Sequence, residues 1–387
     1  MDSTIAWNNL NWKIINYYVA KIKIKIYKSS KDKDFIRVRN FQKLLFTSNY
    51  YLLKCIEDTT NEYNLDIDKQ ALFLKLLSIN IYKWNSYPGN FKNININSNY
   101  IFYDKIFQNM IKNILEPEWQ AIIGFTYYSI KKTIFNLFKI LKSKKKIYIF
   151  ETKITGFLKL KFLKTILRKF PIKNLLLKWI KNKSIDLSIE LKDLLLNICL
   201  FEIENKIFIK NTNIIRYKNE LLIISENKRN IFYIKNILDF WFNQRGLKLI
   251  LPKLINLQNE SFQFIGFEFF KKKYIILIQP SINSKKKIIF DLSKIWKFHY
   301  GRPIYQVIKV INNYIIDCKN YYKFCNIDYS INLNQNLFGQ ALRFAKRTHP
   351  KKSIGWIFKK YFKKSNNNKF IYFDNDPQNG IIILQNF

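Results

Sequence analysis

The sequence predicts an α+β protein of two or three domains, and three observations carry that prediction. Its 387 residues exceed what a single core usually organises. With 48% hydrophobic and 17% aromatic residues it is too apolar for a disordered polycation, despite a formal net charge of +40. Finally, the apolar residues change period along the chain. Helical stripes at both ends enclose a middle in which short apolar runs alternate with helical segments.

Residues 7–60 read as helical, entering through WNNLNWKII and closing through VRNFQKLLFTS. Within them residues 21–26, KIKIKI, alternate with a strand's period of two, and local pattern alone makes that piece β. Residues 61–145 are mixed: the Asn-rich stretch NFKNININSNY reads as loop or edge strand, and KIFQNMIKNILEPEWQ as helix. From 146 to 270 the apolar runs IYIFETKITGF, NIIRYKNELLIIS and FQFIGFEFF are separated by helical segments such as FYIKNILDFWFNQRG. Helices take over from about residue 300. Ile304, Val307, Ile308, Ile311, Ile315 and Cys318 form one stripe, and Phe338, Ala341, Leu342 and Ala345 a second at i, i+3, i+4, i+7. Pro350 breaks that helix, Ser353 can cap the next, and Ile354, Ile357, Phe358, Tyr361 and Phe362 make a third stripe.

The chain carries 67 basic against 27 acidic residues, and 58 of the basic residues are Lys. Abundant Asn, Ile, Phe and Tyr accompany them, the signature of AT-rich codons, which accounts for Lys over Arg. It does not account for the excess of basic over acidic residues, so the field calls for nucleic acid or an anionic membrane surface, nucleic acid being favoured. Cys55, Cys199, Cys318 and Cys325 contain no C-x-x-C pair, and His299 and His349 are the only histidines. Neither a zinc ribbon nor a disulfide framework can be built from these, and a reducing compartment fits. No apolar run approaches 18 residues, which argues against a membrane span. The start MDSTIAWNN has neither signal-peptide nor transit character, so a protein working in an organelle is expected to be made there. The chain has no G-x-G-x-x-G, no G-K-[ST] loop and no partner in sequence for either histidine. Nucleotide-cradling and classical hydrolase chemistry fall away, and with them a small-molecule substrate.

The charge near the C-terminus is organised. Residues 341–364 include Arg343, Lys346, Arg347, Lys351, Lys352, Lys359, Lys360, Lys363 and Lys364 and no acid, and most of these fall off the apolar stripes. A single-sign face costs self-repulsion and serves no folding purpose, whereas a phosphate backbone complements it. The bland alternative is a solvated Lys-rich surface. Trp356 is a candidate for stacking on a base, and Tyr361 for either stacking or core. His349, ahead of a proline in this basic turn, is assigned a structural or RNA-contacting role rather than acid–base chemistry. Residues 144–146 and 285–287 form secondary basic patches.

The stretch LRFAKRTHPKKSIGWIFKKYF is similar to the most recognisable part of the maturase domain, the thumb or X region, of group II intron-encoded reverse transcriptases. Upstream, FQFIGFEFF resembles the strand that closes the palm. VINNYIIDCKNYYKFC resembles a helix ending in Asn-Tyr-Tyr-basic, here Asn320, Tyr321, Tyr322 and Lys323. WNNLNWKII and IYKSSKDKDFIRVRNFQKLLFTS resemble the family's N-terminal extension, and ILEPEWQA its Leu-Glu-Pro-x-Trp motif before the fingers. The resemblance implies a right-hand, reverse-transcriptase-like architecture. It has a helical N-terminal extension over 1–85, degenerate fingers and palm over 86–275, and an all-α thumb or maturase domain over 276–387. It also implies a helix over residues 21–26, against the local pattern.

The departure from that family lies in the palm. A polymerase of this type needs two Mg²⁺ ions held by carboxylates. The family's Tyr-Ala-Asp-Asp turn aligns with Tyr217, Lys218, Asn219 and Glu220, and its earlier metal-binding Asp with Lys153, an ammonium where a cation would sit. The Pro-Gln-Gly before the palm helix is missing, with SIDLSIELKDLLLNICL in its place. The expectation is a scaffold without polymerase activity, with no catalytic residues and no metal site or cofactor, Mg²⁺ entering only with bound RNA. What the resemblance implies is an intron maturase for group II-type intron RNA in organellar pre-mRNA or pre-tRNA, the ribozyme supplying the chemistry. The implied compartment is the plastid (chloroplast) with the protein organelle-encoded, the mitochondrion being the alternative. No Cys- and His-bearing endonuclease segment follows the thumb, so intron mobility is not expected. Two other classes stay open: a residual RNA-directed DNA polymerase using Glu220 with unrecognised carboxylates, and a nonspecific RNA-binding protein on the same scaffold.

Overall fold

Apolar residues three and four apart turn the N-terminal part of the chain into helices. The computed structural model describes residues 7–63, 68–79, 84, 98–124, 129–144, 146–167, 169–181, 187–201, 203, 209, 211–273, 275–364, 370–377 and 380–387. After a 3-10 turn at Trp7–Asn9 come α1 (Trp12–Lys31), α2 (Phe35–Phe46), α3 (Asn49–Tyr63) and α4 (Lys69–Leu77). Asn11, Asp34 and Asp68 cap α1, α2 and α4, each side chain accepting from first-turn amides that have no intrahelical partner. The KIKIKI stretch lies inside α1: Ile22 and Ile26, four apart, are buried on one side and Ile24 is exposed. Burial at helical spacing therefore overrides the local β pattern. The Asn-rich stretch expected as loop or edge strand lies mostly outside the described residues, and its last three residues open the next helix.

That helix, α5 (Ser98–Ile123), contains Pro117. Beside the proline, Glu118 is buried and accepts from the two terminal guanidinium nitrogens of Arg39, Nη1 and Nη2, at 2.7 and 2.9 Å and from the side-chain amide of Gln42 at 2.8 Å. The Leu-Glu-Pro-x-Trp stretch thus contributes a charged clamp between α2 and α5. Next come α6 (Ile130–Ser143), β1 (Tyr148–Gly156), α7 (Leu160–Ile166), α8 (Lys173–Lys181) and α9 (Ile189–Cys199). One hydrophobic cluster joins α1 to α5 with α7, α8 and α9 around Ile26, Leu45, Ile56, Phe107, Ile114 and Trp179.

The apolar runs of the middle form strands, as their alternation requires. β1 joins β2 (Thr212–Tyr217), β3 (Glu220–Ser225) and β4 (Leu247–Asn256) in a sheet of order β2-β3-β1-β4. α10 (Lys228–Arg245) packs on β3 and buries Ile231, Ile234, Leu238 and Phe242. Gly246 ends α10 at φ +81°, and a Cβ there would lie 2.2 Å from the carbonyl oxygen of Phe157, so only glycine fits.

The chain divides into two compact units, residues 1–133 with 152–253 and residues 134–151 with 254–387. The second holds the antiparallel sheet β5 (Phe262–Phe264), β6 (Phe267–Lys272) and β7 (Ile275–Pro280), whose first turn, Ile265 and Gly266, has positive φ at both positions. Four helices follow: α11 (Ile282–Phe298), α12 (Ile304–Tyr321), α13 (Ser330–Thr348) and α14 (Ile354–Tyr361). The α12 stripe is buried at all six expected positions. On α13 the buried side is rotated from the expected one. Leu333, Leu337, Gln340, Ala341, Phe344 and Ala345 are buried, while Phe338 and Leu342 are half-buried. On α14, Ile357 and Tyr361 set the buried face and Ile354 is exposed.

The segment 276–387 is not all-α. It begins within β7 and ends in a second antiparallel sheet, β8 (Phe362–Lys364), β9 (Phe370–Asp376) and β10 (Gly380–Ile383), in order β10-β9-β8. Tyr372 is buried in β9, and Asp376 pairs in register with Gly380, which has φ +76°. Asp374 and Asp376 fasten β9 to α12 by accepting from the Tyr305 amide at 2.9 Å and from Lys309 at 2.7 Å.

Candidate nucleic-acid interface

The basic stretch folds as the end of α13, a turn, α14 and β8. Arg343, Lys346 and Arg347 are exposed on α13, the latter two in its last turn, where positive charge complements the helix C-terminus. His349 is the C-cap of α13. Lys351 and Lys352 are exposed in the turn, and the Ser353 hydroxyl accepts from the Trp356 amide at 3.2 Å to start α14. Lys359 and Lys360 are exposed in the last turn of α14, Lys363 is exposed in β8, and Lys364 ends that strand. Among the described residues no acidic side chain forms a salt bridge with Arg343, Lys346, Arg347, Lys351, Lys352, Lys359, Lys360 or Lys363. The carboxylates of β9 are bonded to α12 instead.

An aromatic knot sets the shape of this turn. The His349 ring stacks on Tyr361 with centroids 5.6 Å apart and planes 18° apart, and its Nε2 lies 2.7 Å from Tyr361 Oη. Trp356 meets His349 edge-on at 5.1 Å, and the Lys352 and Lys360 ammonium groups stand 5.5 and 4.9 Å from its ring centroid. The knot therefore pins two of the lysines in place. Tyr361 is buried and belongs to the core, whereas Trp356 is only partly buried. Partial burial, reinforced by Lys360 and Lys352, pulls His349 below the usual histidine range and favours its neutral form. Its hydrogen-bond partner is a tyrosine, so no carboxylate–histidine relay is built here.

The palm-like positions come together in the four-stranded sheet. Lys218 and Asn219 form the two-residue turn between β2 and β3, with Lys218 at φ 52°. The Asn219 carbonyl accepts from the Ile154 amide at 2.7 Å, which draws the turn against β1. Lys153 Nζ consequently lies 3.7 Å from Glu220 Oε1, and Lys218 Nζ is 2.8 Å from Asp193 Oδ2 on α9. The Asp193 carboxylate holds the Lys218 ammonium above its ordinary range, and burial raises the Tyr217 phenol. This donor set does not fit a pair of Mg²⁺ ions, because each carboxylate already faces an ammonium. Among the described residues no group of three His, Cys, Asp or Glu side chains could hold a metal.

Two residues that sequence reasoning missed join the basic face of α13. Lys297 and Tyr300, at the end of α11, line the same cavity as Arg343 and Arg347, and Tyr300 Oη donates to the Arg347 carbonyl at 3.3 Å. Their only signal in sequence is the i, i+3 spacing of a cation and an aromatic on one helix side. Of the secondary patches, Lys286 and Lys287 are exposed, Lys285 donates to Gln279 at 3.1 Å, and Lys146 lies over Tyr148 at 5.5 Å. Lys145 lies outside the described residues.

Comparison with known proteins matches residues 7–70 to the N-terminal domain of reverse transcriptase and residues 285–362 to the group II intron, maturase-specific domain. The chain is also 24% identical over 403 residues to the ribosomal operon-associated A protein of Euglena longa, an alignment covering 93% of this chain and 74% of that relative. No described helix is long and apolar enough to cross a membrane.

Proposed function

We propose, from the premise that this chain belongs to the group II intron reverse transcriptase/maturase family in a degenerate form, that it binds intron RNA and helps it reach its splicing fold. It does so without polymerase activity, and the intron ribozyme supplies the cleavage chemistry. The observation that carries this reading is the exposed basic surface from Arg343 to Lys363, which no described acid neutralises. A structured RNA condenses only when phosphate repulsion is neutralised, and a fixed array of ammonium and guanidinium groups supplies that locally. The four-stranded sheet is then a palm that has kept its shape and exchanged metal ligands for the Lys153–Glu220 and Lys218–Asp193 pairs. Mg²⁺ enters with the RNA, and the intron lies in organellar pre-mRNA or pre-tRNA. The favoured compartment is the plastid, with the protein made where it acts.

The test is crosslinking of the tagged protein to RNA in its organelle, followed by sequencing. Enrichment of unspliced intron reads over exon reads on one or a few introns is expected. Reads in proportion to transcript abundance would reduce the basic surface to a nonspecific RNA binder. Primer extension on an RNA template with Mg²⁺ or Mn²⁺ is expected to yield no product.

A further inference from the structure

Alongside the basic turn, the second unit holds a cavity of about 390 Å³ between α11 and α13, within the range of roughly 300–1,000 Å³ typical of ligand pockets. Each helix lines it with one row at i, i+3, i+4, i+7. Ser293, Trp296, Lys297 and Tyr300 come from α11 and its end. Gln340, Arg343, Phe344 and Arg347 come from α13. Three cations and no acid line the cavity, so its ligand is anionic. Aromatic rings line it too, so that ligand also carries a flat apolar part.

Trp296 and Gln340 line the wall but are only 5% and 7% exposed, and the Trp296 indole N–H and Gln340 Oε1 are themselves buried behind it; Gln340 donates to the Ile289 carbonyl at 3.0 Å. Tyr300, held through its hydroxyl to the Arg347 carbonyl, is 61% exposed, and Phe298 nearby in sequence is 78% exposed with Arg302 5.9 Å from its ring centroid. Exposed aromatics among cations are how proteins receive unpaired bases, every base offering a π-face.

We infer that this groove takes one unpaired nucleotide of the bound RNA. Its phosphate lies on Arg343, Arg347 and Lys297, and its base stacks on Tyr300. The inference rests on the RNA-binding reading above. Arg343 and Arg347 belong to both the groove and the basic face, so a strand lying on that face passes the mouth of the groove. That continuity favours a nucleotide within a polymer over a free one.

The experiment uses the full chain with a fluorescein-labelled 12-nucleotide single-stranded RNA of mixed sequence and with the same strand annealed to its complement. Tyr300→Ala is expected to weaken single-strand binding about tenfold, the scale of one lost base stack, while duplex affinity stays within about twofold. Tyr300→Phe keeps the ring and removes only the hydroxyl; it is expected to leave single-strand binding within about twofold of wild type. Photocrosslinks from 4-thiouridine in the single strand should map to peptides containing residues 293–300 or 340–347. Equal losses on single strand and duplex in Tyr300→Ala, no loss on either in that variant, or crosslinks confined to the α14 turn would each overturn the inference and leave the RNA-binding reading standing. Saturable micromolar binding of adenosine monophosphate with RNA affinity unchanged in Tyr300→Ala would overturn it in favour of a free-nucleotide site. Failure of the wild-type protein to bind either RNA would remove the parent reading as well.

Discussion

The four-stranded sheet and the α13–α14 turn are both rich in lysine, yet their charges are handled in opposite ways. In the sheet, Lys153 faces Glu220 at 3.7 Å and Lys218 faces Asp193 at 2.8 Å, so the cations are answered from within the same unit. In the turn, Lys352 and Lys360 rest against the Trp356 ring, and the nearby carboxylates Asp374 and Asp376 are bonded to α12. A ring orients an ammonium group without cancelling its charge. The difference separates a region whose charges have become structural from one whose charges await a partner.

The strongest way to break this comparison is to reverse the turn. Changing Lys351, Lys352, Lys359 and Lys360 to Glu is expected to weaken RNA affinity roughly a thousandfold near physiological salt and to lower the slope of log affinity against log salt by about 3–4. The melting temperature should move by no more than a few degrees, because all four side chains are exposed and only the Lys352 and Lys360 contacts with the Trp356 and Tyr361 rings are lost. Filter binding over a salt series with parallel thermal melts checks both, and an unchanged slope would count against phosphate contact by this face.

The converse experiment targets charges that are structural. Glu118→Ala leaves Arg39, whose side chain is only 16% exposed, without its carboxylate, and is expected to cost about 3–5 kcal/mol of stability in urea unfolding. RNA affinity of the protein that remains folded should not change. A smaller effect is expected at the sheet. Lys153→Ala breaks a pair whose side chains are 49% and 26% exposed, and should cost no more than about 1 kcal/mol with no change in RNA binding. A large loss of RNA affinity in this variant would show that the two regions are not separable.

The smallest effect concerns His349. Its proton affinity in the folded chain lies below the ordinary histidine value of 6.5, so the unfolded chain binds the proton more readily. Stability from this group is therefore fully present above about pH 6.5 and is lost as pH falls through the lower, folded value. His349→Gln should flatten that acid limb of a melting curve by no more than about 2 °C, and a variant whose limb is unaltered would remove His349 from the account.

Much of this was legible in sequence because the relevant forces are local. The α12 stripe lies on one face through spacing alone, and Ser353 caps α14 because a hydroxyl ahead of a helix satisfies an amide that has no other partner. The acid-free run over residues 341–364 is a property of composition. The same local logic failed at residues 21–26, where alternation suggested a strand and the burial of Ile22 and Ile26 against neighbouring helices made a helix. It failed again at the C-terminus, where β8–β10 form because partner strands and α12 are present to receive them. The Arg39–Glu118 clamp joins residues 79 apart, beyond any pattern of spacing.

The sequence by itself determined which charges the chain carries, which hydroxyl starts α14, and that residues 153 and 217–220 hold a single carboxylate, Glu220. Charge and periodicity are additive along a chain and can be read one residue at a time. Only the tertiary structure decided which charges are cancelled and which stay available. Coulomb interaction depends on distance in space, and the distances from Lys153 to Glu220 and from Lys360 to Trp356 are set by strand pairing and helix packing. The groove between α11 and α13 has the same origin. Its walls are two ordinary helical rows, and the cavity exists because packing places one against the other.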